Sequence, residues 1–264
     1  MTRIDKTLET LNRPALVTFI TAGDPNHEHS LEVLKALPDA GADIIELGMP
    51  FTDPMADGPT IDLASQRALK GGANMHKTLD MVAEFRQENT DTPLILMGYI
   101  NPVRAYGIEE FCKTAANTGV DGLIIVDLPP EEAEELQTAC EAHDLNLIRL
   151  VTPTTDENRL QTLLKGASGF LYYVSITGVT GSKKADLTQI KPHIAAIKEQ
   201  SNMPVAIGFG IKTPEDAANF ASISDAVVVG SSIVQTIADN ADSPELVQKV
   251  KSQVSALASA IESL

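Results

Sequence analysis

Eight short runs of apolar, mostly β-branched residues recur along the chain: 15–22 (ALVTFITA), 43–48 (DIIELG), 93–99 (PLILMGY), 121–127 (DGLIIVD), 146–151 (NLIRLV), 169–175 (GFLYYVS), 204–210 (PVAIGFG) and 225–230 (DAVVVG). The apolar positions are contiguous rather than alternating, as expected of parallel strands covered on both faces. Segments with helical period and helix-start signals lie between them. Residues 27–40 carry Leu31, Leu34 and Leu37 along one side, Thr213-Pro214-Glu215-Asp216 offers an N-cap, a first-turn proline and early acids, and Ser243-Pro244-Glu245 repeats the device. Turn-rich NTDTP (89–93) and NADSP (240–244) only separate neighbouring elements. Strand and helix thus alternate throughout, with no linker or shift of composition. The pattern predicts an α/β protein, a single (β/α)8 TIM barrel over 1–264, with an extra N-terminal helix at 4–11 closing the bottom and a short helix after strand eight. An open doubly wound sheet is the alternative that the same runs allow.

Charge narrows the ligand classes. The 264 residues carry 20 Lys plus Arg against 36 Asp plus Glu, a formal charge of -16, which repels nucleic acid and anionic membranes at long range. An anionic ligand must therefore be held by local dipoles. Cys112 and Cys140 stand in unrelated sequence surroundings without metal-ligand spacing, which predicts two buried thiols in a reducing compartment rather than a disulfide or a zinc site. The five histidines (27, 29, 76, 143 and 193) fall away from strand ends, so neither a histidine base nor a metal site is expected. The first residues are charged and helix-like, and no apolar run is long enough to span a bilayer; the expected location is cytoplasmic.

In such a barrel chemistry gathers at the C-terminal ends of the strands. Glu46 sits near the end of the second run and shares a face with Ile44; if that face lines the barrel, desolvation raises its pKa and makes it a proton carrier near neutral pH. Asp53 and Asp57 follow among Pro50, Pro54 and Pro59, which restrict the loop and hold its acids at fixed distances. Glycines close the seventh run (GFG, 208–210), and VGSSIV (229–234) closes the eighth and opens a short helix. That pairing fits a phosphate site made of main-chain N–H groups and a helix N-terminus. SITGVTGSKKAD (175–186) reads as a lid over the site. Aromatic residues are scarce, yet Phe19, Tyr99, Tyr172 and Phe209 lie within or at the end of strand runs, which suggests a flat apolar ligand at the barrel mouth, with core packing as the plain alternative.

ELGMPFTDPMADGPTI (46–61), supported by FITAGDP (19–25), GYINPV (98–103), DLPPEE (127–132), TGVTG (177–181) and GFGI (208–211), closely resembles the tryptophan synthase alpha subunit family across essentially the whole chain. The resemblance implies a lyase that cleaves indole-3-glycerol phosphate by a retro-aldol reaction into indole and glyceraldehyde 3-phosphate. It implies no cofactor in this chain, and a beta subunit partner that carries pyridoxal phosphate and receives the indole within an alpha2-beta2 complex. By motif, Glu46 matches the general acid/base and Asp57 the carboxylate facing the indole N–H. The indole pocket maps onto Phe19, Met97, Tyr99, Ile124, Val126, Tyr172 and Phe209, with Thr180 touching Asp57 when the lid closes. Gly181, Gly210, Gly230 and Ser231 match the phosphate site, and Asp53, Asn101, Asp127 and Pro129 the face toward the partner. The residue patterns leave three other readings open: a sugar-phosphate isomerase or epimerase on the same barrel, a stand-alone indole-3-glycerol phosphate lyase, and an interaction protein whose own chemistry is vestigial.

Overall fold

A computed structural model describes residues 1–174, 187–208 and 210–264. Among them nine strands are found, β1 (Ala15–Thr21), β2 (Ile44–Gly48), β3 (Leu94–Gly98), β4 (Gly122–Ile125), β5 (Asn146–Leu147), β6 (Arg149–Val151), β7 (Leu171–Val174), β8 (Val205–Gly208) and β9 (Ala226–Val229). All pairings are parallel, in the order β5-β4-β3-β2-β1-β9-β8-β7-β6. The two ends of that ladder are consecutive in the chain. Only Ile148 separates β5 from β6, and its N–H still donates to the Leu123 carbonyl (3.0 Å), so 146–151 acts as one stave that closes the sheet. The fold is the (β/α)8 barrel that the eight runs predict, not an open sheet.

Period two along each strand divides the core. Ala15, Val17, Ile44, Ile95, Ile124, Ile148 and Tyr172 point into the barrel, while Leu16, Ile20, Ile45, Leu47, Leu96 and Leu123 face the helical layer. The N-terminal helix, Arg3–Thr10, begins on a capping box in which Thr2 Oγ1 accepts from Asp5 N (3.1 Å) and Asp5 Oδ2 from Thr2 N (2.9 Å). Its fully buried Ile4 joins the inner cluster and plugs the barrel bottom. Full burial of a side chain of this size contributes about 1.5–3 kcal/mol.

The bottom carries a repeated device. Asp43, Asp121 and Asp225 each stand one residue before a strand (β2, β4 and β9), and each takes the N–H of a residue at the start of a neighbouring strand: Leu16 (2.7 Å), Leu94 (2.8 Å) and Val205 (2.8 Å). In return each aspartate's own N–H donates to that residue's carbonyl. A cation covers every carboxylate, Arg13 on Asp43 (2.7 Å), Arg3 and Arg86 on Asp121 (2.8 and 2.7 Å) and Lys198 on Asp225 (2.8 Å). Burial lowers the Arg86 pKa to about 10 against the opposing pull of Asp121.

Two boundaries differ from the sequence pattern. The helix predicted over 27–40 runs His27–Ala36 and gives way to a 3-10 turn, Pro38–Ala40, because Pro38 has no N–H to continue the ladder. The last helix starts at Leu246 rather than at Pro244: Ser243 Oγ accepts from Glu245 N (3.2 Å) and the Ser243 carbonyl from Leu246 N (3.1 Å), which makes a separate turn before the helix. Helix Pro214–Ala221 is capped as expected, by a Thr213–Asp216 capping box. A short helix, Ser231–Asp239, follows β9. Cys112 and Cys140 are both free and buried, and although distant in sequence their thiols meet where helix Ile108–Thr118 packs on helix Glu134–Ala142; that contact, then burial, drives the Cys140 thiol far above its ordinary range. No helix among the described residues is long and apolar enough to cross a membrane, and no group of metal-ligating side chains is found among them.

Replacing Asp121 by Ala strands the buried Arg86 guanidinium and should cost about 3–5 kcal/mol, read as a lowered urea midpoint at unchanged slope. A loss under about 1 kcal/mol would mean that the bottom staple does not hold the barrel.

Candidate active site

Strand geometry decides where Glu46 points. Ile44 lies in the inner cluster, so Glu46, two residues on, is aimed into the barrel, level with Phe19 of β1 and Ile95 of β3. It is 0% exposed, and neither carboxylate oxygen has a hydrogen-bond partner among the described residues. Desolvation alone raises its pKa to about 8. Tyr172, buried in the same cluster, is pushed well above its ordinary range, first by burial and then by the charge of Glu46, which marks the two as neighbours.

The acidic loop reaches over the mouth from β2. Gly58 and Pro59 start helix Pro59–Lys70, and Asp57 N donates to the Pro54 carbonyl (3.0 Å), closing a turn that presents the Asp57 side chain inward. Tyr99 fastens this loop: its hydroxyl accepts from Ala56 N (3.1 Å) and its ring lies 5.6 Å from that of Phe51. Asp57 is raised to about 6, mainly by burial, with the Tyr99 hydroxyl drawing it down and Asp62 adding to the rise. Two carboxyl groups at one barrel mouth thus have pKa values set apart, one on each side of neutrality.

A cavity opens between these elements. Phe19, Met97, Tyr99, Val126 and Asp57, all expected from the sequence, line it. Thr21, Met49, Ile61 and Ser65 line it as well, beyond the sequence expectation. Thr21 has a usable signal, since it is the next inward position after Phe19; Ile61 and Ser65 sit on a helix whose docking angle no local pattern fixes. Ile124 pairs in register with Met97 and is fully buried in the inner cluster rather than on the cavity wall. Glycine matters sterically here. A Cβ on Gly48 would lie 2.6 Å from the Phe19 ring, and one on Gly208 would lie 2.2 Å from the Tyr172 hydroxyl, so both aromatics need bare backbone beside them.

Gly230 stands at the N-cap of helix Ser231–Asp239 with Ser231 exposed at its first position. Gly210 has φ +74 and open space where a Cβ would be. Thr180, Gly181, Phe209 and the 175–186 lid lie outside the described residues. Asp53, Asn101 and Pro129 are exposed on the same end of the barrel, whereas Asp127 is engaged internally, its Oδ1 accepting from Ile100 N (2.9 Å) at the start of helix Ile100–Tyr106.

Known proteins are similar to this chain in sequence and in fold. The family described as tryptophan synthase alpha chain matches residues 6–262. The structure of tryptophan synthase subunit alpha from Legionella pneumophila str. Paris is 41% identical over the whole of both chains, with a TM-score of 0.94. A chain in the aminoacrylate-bound form of tryptophan synthase from M. tuberculosis is 31% identical, covering 99% of this chain and 100% of that one, with a TM-score of 0.88. A match that runs from the N-terminal helix to the last one, through every unit of the barrel, places this chain in the tryptophan synthase alpha chain family.

Proposed function

We propose that Glu46 and Asp57 carry the family's lyase reaction, the retro-aldol cleavage of indole-3-glycerol phosphate to indole and glyceraldehyde 3-phosphate. The supporting observation is a fully buried carboxyl, without a hydrogen-bond partner among the described residues, level with Phe19 on the wall of an aromatic-lined cavity that also carries a second carboxyl, Asp57. The carbon–carbon bond breaks only if indole carbon 3 gains a proton, which leaves positive charge on the ring. The side-chain hydroxyl must lose its proton as the aldehyde forms. With a pKa of about 8, Glu46 holds a proton at neutral pH to deliver to carbon 3, and its conjugate base then accepts the hydroxyl proton. Asp57, at about 6, is anionic at the same pH and faces the developing indolium through the ring N–H. Phe19, Tyr99, Met97, Val126 and Tyr172 enclose the ring, joined by Phe209 and Thr180. Gly230 and Ser231 at a helix N-terminus, with Gly210 and Gly181, hold the phosphate by main-chain N–H groups, which answers the net acidity of the chain.

No coenzyme enters this step in our reading. The released indole goes to a beta subunit bearing pyridoxal phosphate, docked on the face that carries Asp53, Asn101, Asp127 and Pro129, in an alpha2-beta2 complex in the cytoplasm. Family membership does not favour the sugar-phosphate isomerase or the vestigial-chemistry alternatives.

Glu46→Gln should lower indole release from indole-3-glycerol phosphate by about 10²–10⁴-fold, assayed with the purified chain alone and with a beta subunit. Near-normal turnover would remove Glu46 from the mechanism. Asp57→Asn should lose about 10²-fold or more, since a neutral acceptor stabilises the cationic ring less. For wild type, kcat should fall on the acid side of about pH 6, as Asp57 gains a proton, and on the alkaline side of about pH 8, as Glu46 loses one. A profile that is flat over this range would contradict both assignments.

The same burial has a stability consequence. Because folding raises the Glu46 pKa from 4.5 to about 8, the folded state holds a proton that the unfolded state has lost, and stability drains away as pH rises through that window. Glu46→Gln abolishes this dependence. Its unfolding free energy relative to wild type should grow by about 3 kcal/mol between about pH 5 and about pH 7.5, measured by urea titration. A constant difference across that range would show that Glu46 titrates normally.

A further inference from the structure

Helix Pro59–Lys70 forms one wall of the cavity through Ile61 and Ser65 and begins directly after Asp57 and Gly58. Its apolar packing, against Phe19 and Val234, is made by Ala64 and the half-buried Ile61. Its buried residues are the small Ala64, Ser65 and Ala68, and its Leu63 is 52% exposed. Helix Met75–Arg86 by contrast buries Leu79, Met81, Val82 and Phe85. Small side chains let the first helix lie close to the barrel but remove little apolar area from water, so a polar interaction weighs more in fixing its place.

That interaction is a two-point ion pair. Arg67 Nε donates to Asp24 Oδ1 (2.7 Å) and Arg67 Nη2 to Asp24 Oδ2 (2.9 Å), with the Asp24 side chain 0% exposed. Asp24 lies in the turn after β1, three residues beyond Thr21, and Arg67 lies two residues beyond Ser65; both Thr21 and Ser65 line the cavity. The turn itself is knitted to Thr21. Asp24 N donates to the Thr21 carbonyl (3.2 Å), and Ser30 Oγ accepts from Gly23 N (2.9 Å) while donating to that same carbonyl (3.4 Å). A planar guanidinium held at two points fixes angle as well as distance, which a point charge cannot do.

We propose that Asp24 and Arg67 are positioning residues for the cleavage: their pairing locks helix Pro59–Lys70 to the end of β1 and thereby sets the place of Asp57 across the cavity. The inference rests on the role given to Asp57 above. It does not involve contact of either residue with substrate.

The test compares three variants with wild type in the full chain, with and without a beta subunit, using indole release from indole-3-glycerol phosphate. Arg67→Lys keeps a cation on Asp24, leaving no orphaned charge, but gives up the two-point grip. The double variant Asp24→Asn/Arg67→Met removes both charges together and keeps the test decisive even if the single change unfolds the chain. Each should keep a cooperative thermal transition, lower kcat by about tenfold or more and move the acid limb of the kcat profile that belongs to Asp57, as expected when a catalytic group is displaced by a fraction of an ångström. Arg67→Lys should retain more activity than the double variant. Wild-type kcat and an unmoved acid limb in either folded variant would overturn the positioning role. Asp57→Asn, measured alongside, keeps the two failures apart: if it loses rate while the Arg67 variants do not, only the positioning role falls, and if it keeps its rate, the assignment of Asp57 falls instead.

Discussion

A carboxyl group buried inside an apolar barrel is the constraint around which this molecule is arranged. Glu46 sits inside a barrel with neither oxygen bonded to any described residue, and burial alone displaces its pKa from 4.5 to about 8. That displacement amounts to about 5 kcal/mol of preference for the neutral form, comparable to the net stability of many domains. Such a site persists only if the rest of the fold exceeds what the barrel needs. The opposite end supplies that excess. Three aspartates there bind a neighbouring strand at both backbone positions, each is covered by a cation, and Ile4 plugs the opening. The aspartate staples lie at the bottom and the proposed chemistry at the top, the division expected of this architecture.

The two acids at this end of the barrel are made different by their surroundings. Glu46 is raised by burial alone and stays protonated at neutral pH, while Asp57 keeps a hydroxyl partner in Tyr99 and stays charged. Groups whose environments push their pKa values apart can serve one as acid and the other as anion in a single step. The loop prolines, the Tyr99 contact to Ala56 and the Asp24–Arg67 pair all restrain the element that carries Asp57. The acidic surface is compatible with a phosphorylated substrate because the proposed phosphate site relies on helix and main-chain dipoles instead of basic side chains.

Much of this is legible in the sequence because it is encoded locally. Contiguous apolar runs mark all eight staves, and period two places Glu46 on the face of Ile44. What escapes depends on side chains brought together from afar. The pairing of Asp24 with Arg67 spans 43 positions, and the meeting of Cys112 with Cys140 depends on how two helices pack; neither leaves a periodic trace. Cavity residues Ile61 and Ser65 escape for the same reason, since they face the site only through the docking of their helix. Glycine at the end of strand 205–208 is visible as a signal and reads in the sequence as part of a phosphate site, whereas its steric role, clearing room for the Tyr172 hydroxyl, emerges only from the structure. Ser243-Pro244-Glu245 has the form of a helix start and instead makes a turn before one, because Ser243 bonds to Glu245 two residues on.

Titration of the Glu46 carboxyl itself in the folded chain, by isotope-edited infrared or carbon NMR spectroscopy, decides whether burial governs this site, with the Glu46→Gln variant used to identify the signal. That signal should convert from acid to carboxylate near pH 8. A carboxylate already formed at about pH 5, close to the ordinary value for glutamate, would contradict the dominance of burial and with it the proton-carrying role.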